Sequence, residues 1–224
     1  MKNASNPRDW KRLVRRIVLT AVALGIWFWT QKLIAQRAVP ASGVGDALHT
    51  LTAGLNSYFY SAPSAANALL ILSSALIDAL GLFLLLRWLF GPSVRPFLGL
   101  VLLLGLRQLM QAICALPAPQ NMIWHYPGFP SLLVTYNVGN DFFFSGHTAI
   151  AVFGGKELAR LGKRWLTLLA IVVVFFEIAA VLILRAHYTM DVFAGILAAI
   201  CVAELCAKLA PPIDAFVSSA SASH

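Results

Sequence analysis

Two histidines and an aspartate set the chemistry open to this chain. His147 stands in NDFFFSGHTAI, residues 140–150, where Ser145, Gly146 and an imidazole open an apolar run. His187 and Asp191 stand four residues apart in RAHYTMD, residues 185–191. On a helix, positions i and i+4 share a face. The carboxylate is therefore expected to hydrogen-bond one imidazole nitrogen, fixing the tautomer and leaving the other nitrogen to attack or to coordinate. Arg107 lies inside a further apolar run, and Arg185 lies beside His187. An arginine within a membrane is costly and usually has a partner anion. Two chemistries fit this set. His147, His187 and Asp191 could form a facial set of metal ligands. The neighbouring Arg107 and Arg185 would repel a metal ion but would hold a phosphate well.

These residues need elements that bring them to one place. The chain has 224 residues, 59% hydrophobic and 12% charged, whereas a soluble domain carries about 25% charged residues. Such a chain cannot cover a water-facing surface, so most of it should face lipid. The net charge of +8 comes from short basic clusters that do not interleave with aromatics as a single-strand binder requires, so no nucleic-acid partner is expected. A helix needs about 20 mostly apolar residues to cross the hydrocarbon core. Six segments qualify, at roughly 17–36, 66–88, 96–116, 143–161, 165–185 and 189–209. They do not alternate with period two, and lipid-exposed sheet edges would be unsatisfied. The expected fold is an all-α integral membrane protein. It has a basic segment over 1–16, a six-span catalytic bundle over 17–210, and a flexible tail over 211–224.

Lys and Arg placement orients the bundle. With six crossings, thirteen basic residues fall on one side and three on the other, Arg107 lying within a span. Both termini are then cytoplasmic. SGH and RAHYTMD meet at the non-cytoplasmic face, beneath a cap made from residues ~37–65 and the proline-bearing segment ~117–142. The pattern fits a multi-pass protein of a bacterial inner (plasma) membrane, and a homo-oligomer is compatible with it.

GNDFFFSGHTAI followed by HYTMDV resembles the sphingomyelin synthase branch of the type-2 phosphatidic acid phosphatase superfamily. LRQLMQAICALPAP, residues 106–119, is similar to that branch's segment with an arginine in the third span followed by Leu-Pro-x-Pro. GDALH, residues 45–49, is loosely similar to its Pro-Asp segment after the first span. The resemblance runs from about residue 45 to 205. It implies phosphoryl-ester transfer without metal or cofactor, with His187 as nucleophile, Asp191 stabilising its imidazolium, and a phosphohistidine intermediate. His147 would be the general acid and then the general base. Arg107, with the Ser145 and Gly146 backbone donors, would hold the non-bridging oxygens, with Gly146 allowing close approach. Asp141 belongs to the same motif, as a substrate contact or a helix-start acid. The implied partners are a phospholipid donor and a lipid alcohol of ceramide or diacylglycerol type. The alternatives are water as acceptor, making a lipid phosphatase or phospholipase C-like hydrolase, and a silent lipid-binding or lipid-moving protein. The chain lacks the Lys-x6-Arg-Pro motif of the superfamily's phosphatases, and Val181 stands where they carry an arginine. Arg185 replaces the acidic residue or histidine common in the branch, which would favour a more anionic headgroup.

Asp78 and Glu177, both mid-span, are expected to serve helix packing. Glu204 should pair with Lys208 at i+4. Asp46, His49 and His125 fall in the outer cap, where headgroup contact is open to them. Trp27, Trp29 and Trp124 fit interfacial or lipid-facing anchors.

Overall fold

A computed structural model of the chain describes residues 7–36, 44–136 and 142–222. Among them there is no strand, and eight helices follow in order: α1 Pro7–Ala35, α2 Ala47–Leu51, α3 Ala53–Ser61, α4 Pro63–Phe90, α5 Arg95–Ile113, α6 Gly146–Ala159, α7 Arg164–Ile183 and α8 Thr189–Ala222. Proline opens α4 and α5 within the first turn, where its missing N–H would have had no helical acceptor. Five helices are long and apolar enough to cross a membrane: α1 over Trp10–Leu33, α4, α5, α7, and α8 over Thr189–Ser219. The regular structure of the described residues is thus all helical, and its long apolar helices are those of an integral membrane protein.

α6 differs from the expected span over 143–161. It has 14 residues, about 21 Å at 1.5 Å per residue, against a hydrocarbon core of about 30 Å. Nine of those residues are buried, and α4, α5, α7 and α8 all pack on it. It is the central post of the bundle. Ser145 caps its start, accepting from the Thr148 N–H at 3.3 Å. α8 passes close by at Gly195, where a side-chain carbon would sit 2.7 Å from the Ser145 carbonyl oxygen.

Arg16, Arg95 and Lys156 lie at the opposite end of the bundle from this cap. Arg16 of α1 donates at 2.8 Å to the Leu89 and Gly91 carbonyls after α4 and lies over the Trp88 ring. Arg95 pairs with Glu157 at 2.8 Å, both shielded from solvent. Glu204 pairs with Lys156 of α6 at 3.2 Å rather than with Lys208, because packing of α6 on α8 brings the ammonium across. The expected tail at 211–224 is helical as far as Ala222, through Pro211 and Pro212. Asp214 explains the extension: its carboxylate accepts from Ser93 Oγ and Val94 N, both at 2.7 Å, pinning α8 to the α4–α5 turn.

The segment after α5 does not simply form an outer cap. Residues 131–134 run as non-helical backbone into the bundle. Leu133 and Val134 pack with Ile77, Leu80, Ile150, Ala151 and Val173, and Leu133 fills the space left by Gly81. Irregular backbone at this depth requires partners inside the protein. Asp78 supplies them, accepting from Ser131 Oγ at 2.9 Å, Leu132 N at 2.8 Å and Leu133 N at 2.9 Å. Its place mid-helix is thereby explained as an anchor for a re-entrant segment. Glu177, fully buried, accepts from Ser73 at 2.6 Å and ties α7 to α4.

Candidate active site

His187 lies in the α7–α8 turn and His147 in the first turn of α6. Both line a single cavity with Arg107, Gly146, Trp27, Trp124, Leu133 and neighbouring residues. Two backbone positions preceding these histidines are strained: Phe144 has φ 78° and Arg185 φ 55°. Non-glycine residues seldom occupy this region and need surrounding structure to hold them there. Phe144 is held by burial in the core around Leu103 and Phe153. Arg185 is held through its guanidinium, which donates to the carbonyls of Gln120 at 2.8 Å and His49 at 3.2 Å.

The orientation of His187 departs from expectation. Its Nδ1 lies 2.8 Å from the Phe142 carbonyl oxygen, and 3.9 Å from Asp191 Oδ2. A carbonyl can only accept, so Nδ1 carries the proton and the lone pair is on Nε2. Asp191 therefore does not fix the tautomer through a hydrogen bond; it acts on the ring through space. Its own partner is the Tyr188 N–H, at 2.8 Å. The reason is local. α8 begins at Thr189, so His187 precedes the helix and i,i+4 geometry does not apply. Asp191 is the third helical residue, and it reaches back to the residue before the helix as in a capping box.

His147 is buried, and its Nε2 has no hydrogen-bond partner among the described residues. The Trp124 ring stands edge-on to it, with centroids 5.2 Å apart, and is itself fixed by Nε1 donating to the Thr135 carbonyl at 3.0 Å. Arg107 is buried and donates from Nη1 to Gln31 Oε1 of α1 at 2.9 Å. Gly146 is needed beside it: a side-chain carbon there would lie 3.0 Å from Arg107 Nε. The Gly146 and His147 N–H groups, in the first turn of α6, have no acceptor within their own helix, and the helix dipole adds positive character there. The cavity thus combines a guanidinium, helix-start N–H groups and two imidazoles, the equipment for holding an anionic oxygen while moving a proton. Among the described residues no group of three His, Cys, Asp or Glu side chains is placed to hold a metal ion. The facial set considered from sequence is not assembled, since Asp191 is turned to backbone N–H.

Several expected substrate contacts are placed elsewhere. Ser145 is fully buried, with its hydroxyl on Thr148 and its N–H donated to the Asp191 carbonyl at 3.0 Å, so it serves the cap of α6. Arg185 clamps the outer segments and does not line the cavity, so its charge gives no ground for a more anionic headgroup. Asp141 lies outside the described residues. Phe142 and Phe144 are core residues, at 1% and 2% exposure. Trp27 and Trp124 line the cavity, whereas Trp29 remains exposed as an anchor should.

Asp46 and His49, expected in the outer cap and open to the headgroup, point inward instead. Asp46 accepts from Thr189 N at 2.5 Å and Thr189 Oγ1 at 2.6 Å, as well as from the Leu48 and His49 N–H groups of α2. His49 Nε2 lies 2.9 Å from the His187 carbonyl oxygen, and its ring stacks on Tyr188. Both are positioning residues for the turn that carries His187. His125 stays outside, with Nε2 2.8 Å from Asn67 Oδ1. Burial alone would raise the Asp46 pKa, but hydrogen bonds from the Thr189 side chain and backbone and from His49 outweigh it and hold the carboxyl below its ordinary 3.8. A depressed folded pKa contributes stability that is present above the ordinary value and lost as pH falls through the lowered one. Thermal unfolding in detergent should therefore show a loss of stability below about pH 4, which Asp46→Asn reduces. At neutral pH, Asp46→Ala should cost about 1–2 kcal/mol from the lost cap alone. An unchanged acid limb in Asp46→Asn would remove this role.

One comparison bears on what this site belongs to. The AtPDCT1/2 family matches residues 45–208. The chain belongs to that family. The match includes both histidines, Arg107 and the Asp46 segment, and leaves α1 outside it. Among curated proteins, the chain is similar to phosphatidylcholine:diacylglycerol cholinephosphotransferase 1 of Arabidopsis thaliana, with 24% identity over 180 residues. That alignment covers 80% of this chain and 57% of the relative, so the chain spans little more than half of that protein's length. No solved structure matches. Neither match shows the sphingomyelin synthase branch expected from the motifs.

Proposed function

We propose that this protein is a membrane phosphotransferase that moves a phospho-headgroup from a phospholipid to a lipid alcohol of diacylglycerol type. The observation that carries this reading is the convergence of His147, His187 and Arg107 on one buried cavity. The activity for which the Arabidopsis relative is named supports phosphatidylcholine as donor and diacylglycerol as acceptor.

In this scheme His187 Nε2 attacks phosphorus and the bond from phosphorus to the glycerol oxygen breaks. His147 gives its proton to the departing oxygen, releasing diacylglycerol and leaving phosphocholine on His187. The imidazolium is stabilised by Asp191 at 3.9 Å, while the Phe142 carbonyl keeps the ring in place. A second diacylglycerol then loses its hydroxyl proton to His147 and attacks phosphorus, freeing His187. Arg107 and the first N–H groups of α6 hold the non-bridging oxygens, where charge builds up. No step calls for a metal or cofactor. The six-crossing arrangement, with α6 as the short fourth crossing and the site on the non-cytoplasmic face, is part of the same proposal.

The test uses purified protein with choline-labelled phosphatidylcholine, with and without unlabelled diacylglycerol or ceramide. Label appearing in newly made phosphatidylcholine only when diacylglycerol is present is the expected result. Free phosphocholine accumulating regardless of acceptor would replace transfer by hydrolysis. Label moving to ceramide in preference would return the protein to sphingomyelin synthesis.

A further inference from the structure

An apolar groove of about 400 Å³ runs between α1 and α5 and meets the catalytic cavity at three shared residues, Trp27, Leu104 and Leu133. Its outer wall is exposed at Leu19, Val22, Ile26 and Val101, so it opens sideways, where a membrane protein faces lipid. Its volume falls within the range of ligand pockets.

Among the polar groups along this lining, which include the Thr20 and Thr30 hydroxyls, Trp27 Nε1, a donor, and Gln108 Oε1, an acceptor, are buried with no hydrogen-bond partner among the described residues. The network fixes which end of Gln108 is which. Arg107 can only donate, so the Gln31 atom facing it is oxygen, and Gln108 turns its Nε2 to that same oxygen at 3.2 Å. Its Oε1 is left facing away from the pair. A buried polar group without a partner is destabilising. A ligand that supplies one acceptor and one donor would satisfy both.

We infer that the α1–α5 groove is the acceptor-lipid site, taking one acyl chain of a neutral lipid alcohol of the diacylglycerol class. An ester carbonyl of the lipid accepts from Trp27 Nε1, and its hydroxyl donates to Gln108 Oε1 on entry, before it passes to His147 for transfer. The inference rests on the transferase reading above and assigns its acceptor. A phosphatidylcholine has the carbonyl but no hydroxyl; a triacylglycerol likewise. The groove therefore discriminates by a donor that only the acceptor possesses, which is the kind of contact that rejects its analogue strongly.

The test is photolabelling of the purified protein in mixed micelles with a diacylglycerol carrying a diazirine in one acyl chain. The expected adducts lie on α1 between Leu19 and Thr30 and on α5 between Phe97 and Gln108, and unlabelled diacylglycerol removes them while triacylglycerol does not. Trp27→Phe and Gln108→Leu should each weaken that competition by about tenfold. Gly105→Phe, at a helix position with open space around it, should block labelling by filling the groove. Val172→Phe on the exposed face of α7 should not. Adducts spread over the lipid faces, or equal competition by triacylglycerol, would mean ordinary boundary lipid and would overturn the site. Because labelling needs no turnover, the two readings fail separately. A labelled groove without transfer removes the transferase and keeps the lipid site; transfer without groove labelling does the reverse.

Discussion

His187→Asn lowers headgroup transfer by a factor on the order of 10⁴ or more, while the protein keeps its fold. Asparagine is the informative replacement because the two roles of this histidine are separable. Nδ1–H holds the ring to the Phe142 carbonyl at 2.8 Å, and a side-chain amide can place an N–H near the same position. The nucleophilic lone pair of Nε2 has no counterpart in asparagine. His187→Ala removes both, leaving a buried carbonyl without its donor, a loss of about 1–3 kcal/mol in stability. Alanine should therefore lower Tm as well as activity, and asparagine mainly activity. The wild-type enzyme quenched in base should retain label from phosphatidylcholine on the His187 peptide. His147→Asn should accumulate less label in the first step, since the departing glycerol oxygen has no proton source. Full transfer by His187→Asn would exclude a phosphohistidine and with it the proposed mechanism.

The residues of this site were legible in sequence because their types are rare in an apolar chain, and their spacing placed them at span edges. Their contacts were less legible. The Asp191 carboxylate was assigned to His187 on helical spacing, yet the helix starts after His187, and a helix start with orphan N–H groups claims a nearby carboxylate. A capping pattern and a catalytic pair look alike in sequence when they overlap. Asp78 signalled something unusual in mid-span, but nothing local states that residues 131–134 return into the bundle to meet it. Burial of Leu133 and Val134 is a tertiary outcome, and the prolines before them read equally well as an outer loop. Asp46 and His49 were visible as polar cap residues; that they point inward to Thr189 and the His187 carbonyl depends on a separation of over 130 residues. Gln31 carried no signal at all, since an amide near the end of an apolar helix is ordinary at an interface.

That amide bears on the second large effect. Arg107→Ala should reduce kcat/KM by about 10²–10³, the scale for removing a preorganised donor to a developing charge. Arg107→Lys should recover only part, because an ammonium cannot hold Gln31 and a phosphate oxygen in the fork that a guanidinium provides. The loss in Arg107→Ala alone does not separate phosphate binding from support of the fold, since it also leaves Gln31 and Gln108 buried together without the cation. Gln31→Glu separates them. It keeps the shape and puts a carboxylate 2.9 Å from Nη1 in place of a neutral oxygen. If Arg107 holds the phosphate, this internal anion competes for it, and KM for the phospholipid rises by about tenfold or more with little loss of stability. If Arg107 only fastens α1 to α5, the charged pair strengthens that link and kinetics stay as they were. The cavity that holds both histidines, at about 30 Å³, has room for little more than one water, so a headgroup can enter only if some wall yields. α1 is the least enclosed of the five long helices, and Gln31 is its tie to Arg107. A phosphate that displaces Gln31 from Arg107 would loosen that tie as it binds, whereas Gln31→Glu would tighten it, which adds a slower entry to the weaker affinity. A variant with unchanged KM and unchanged pre-steady-state binding would place the phosphate away from Arg107.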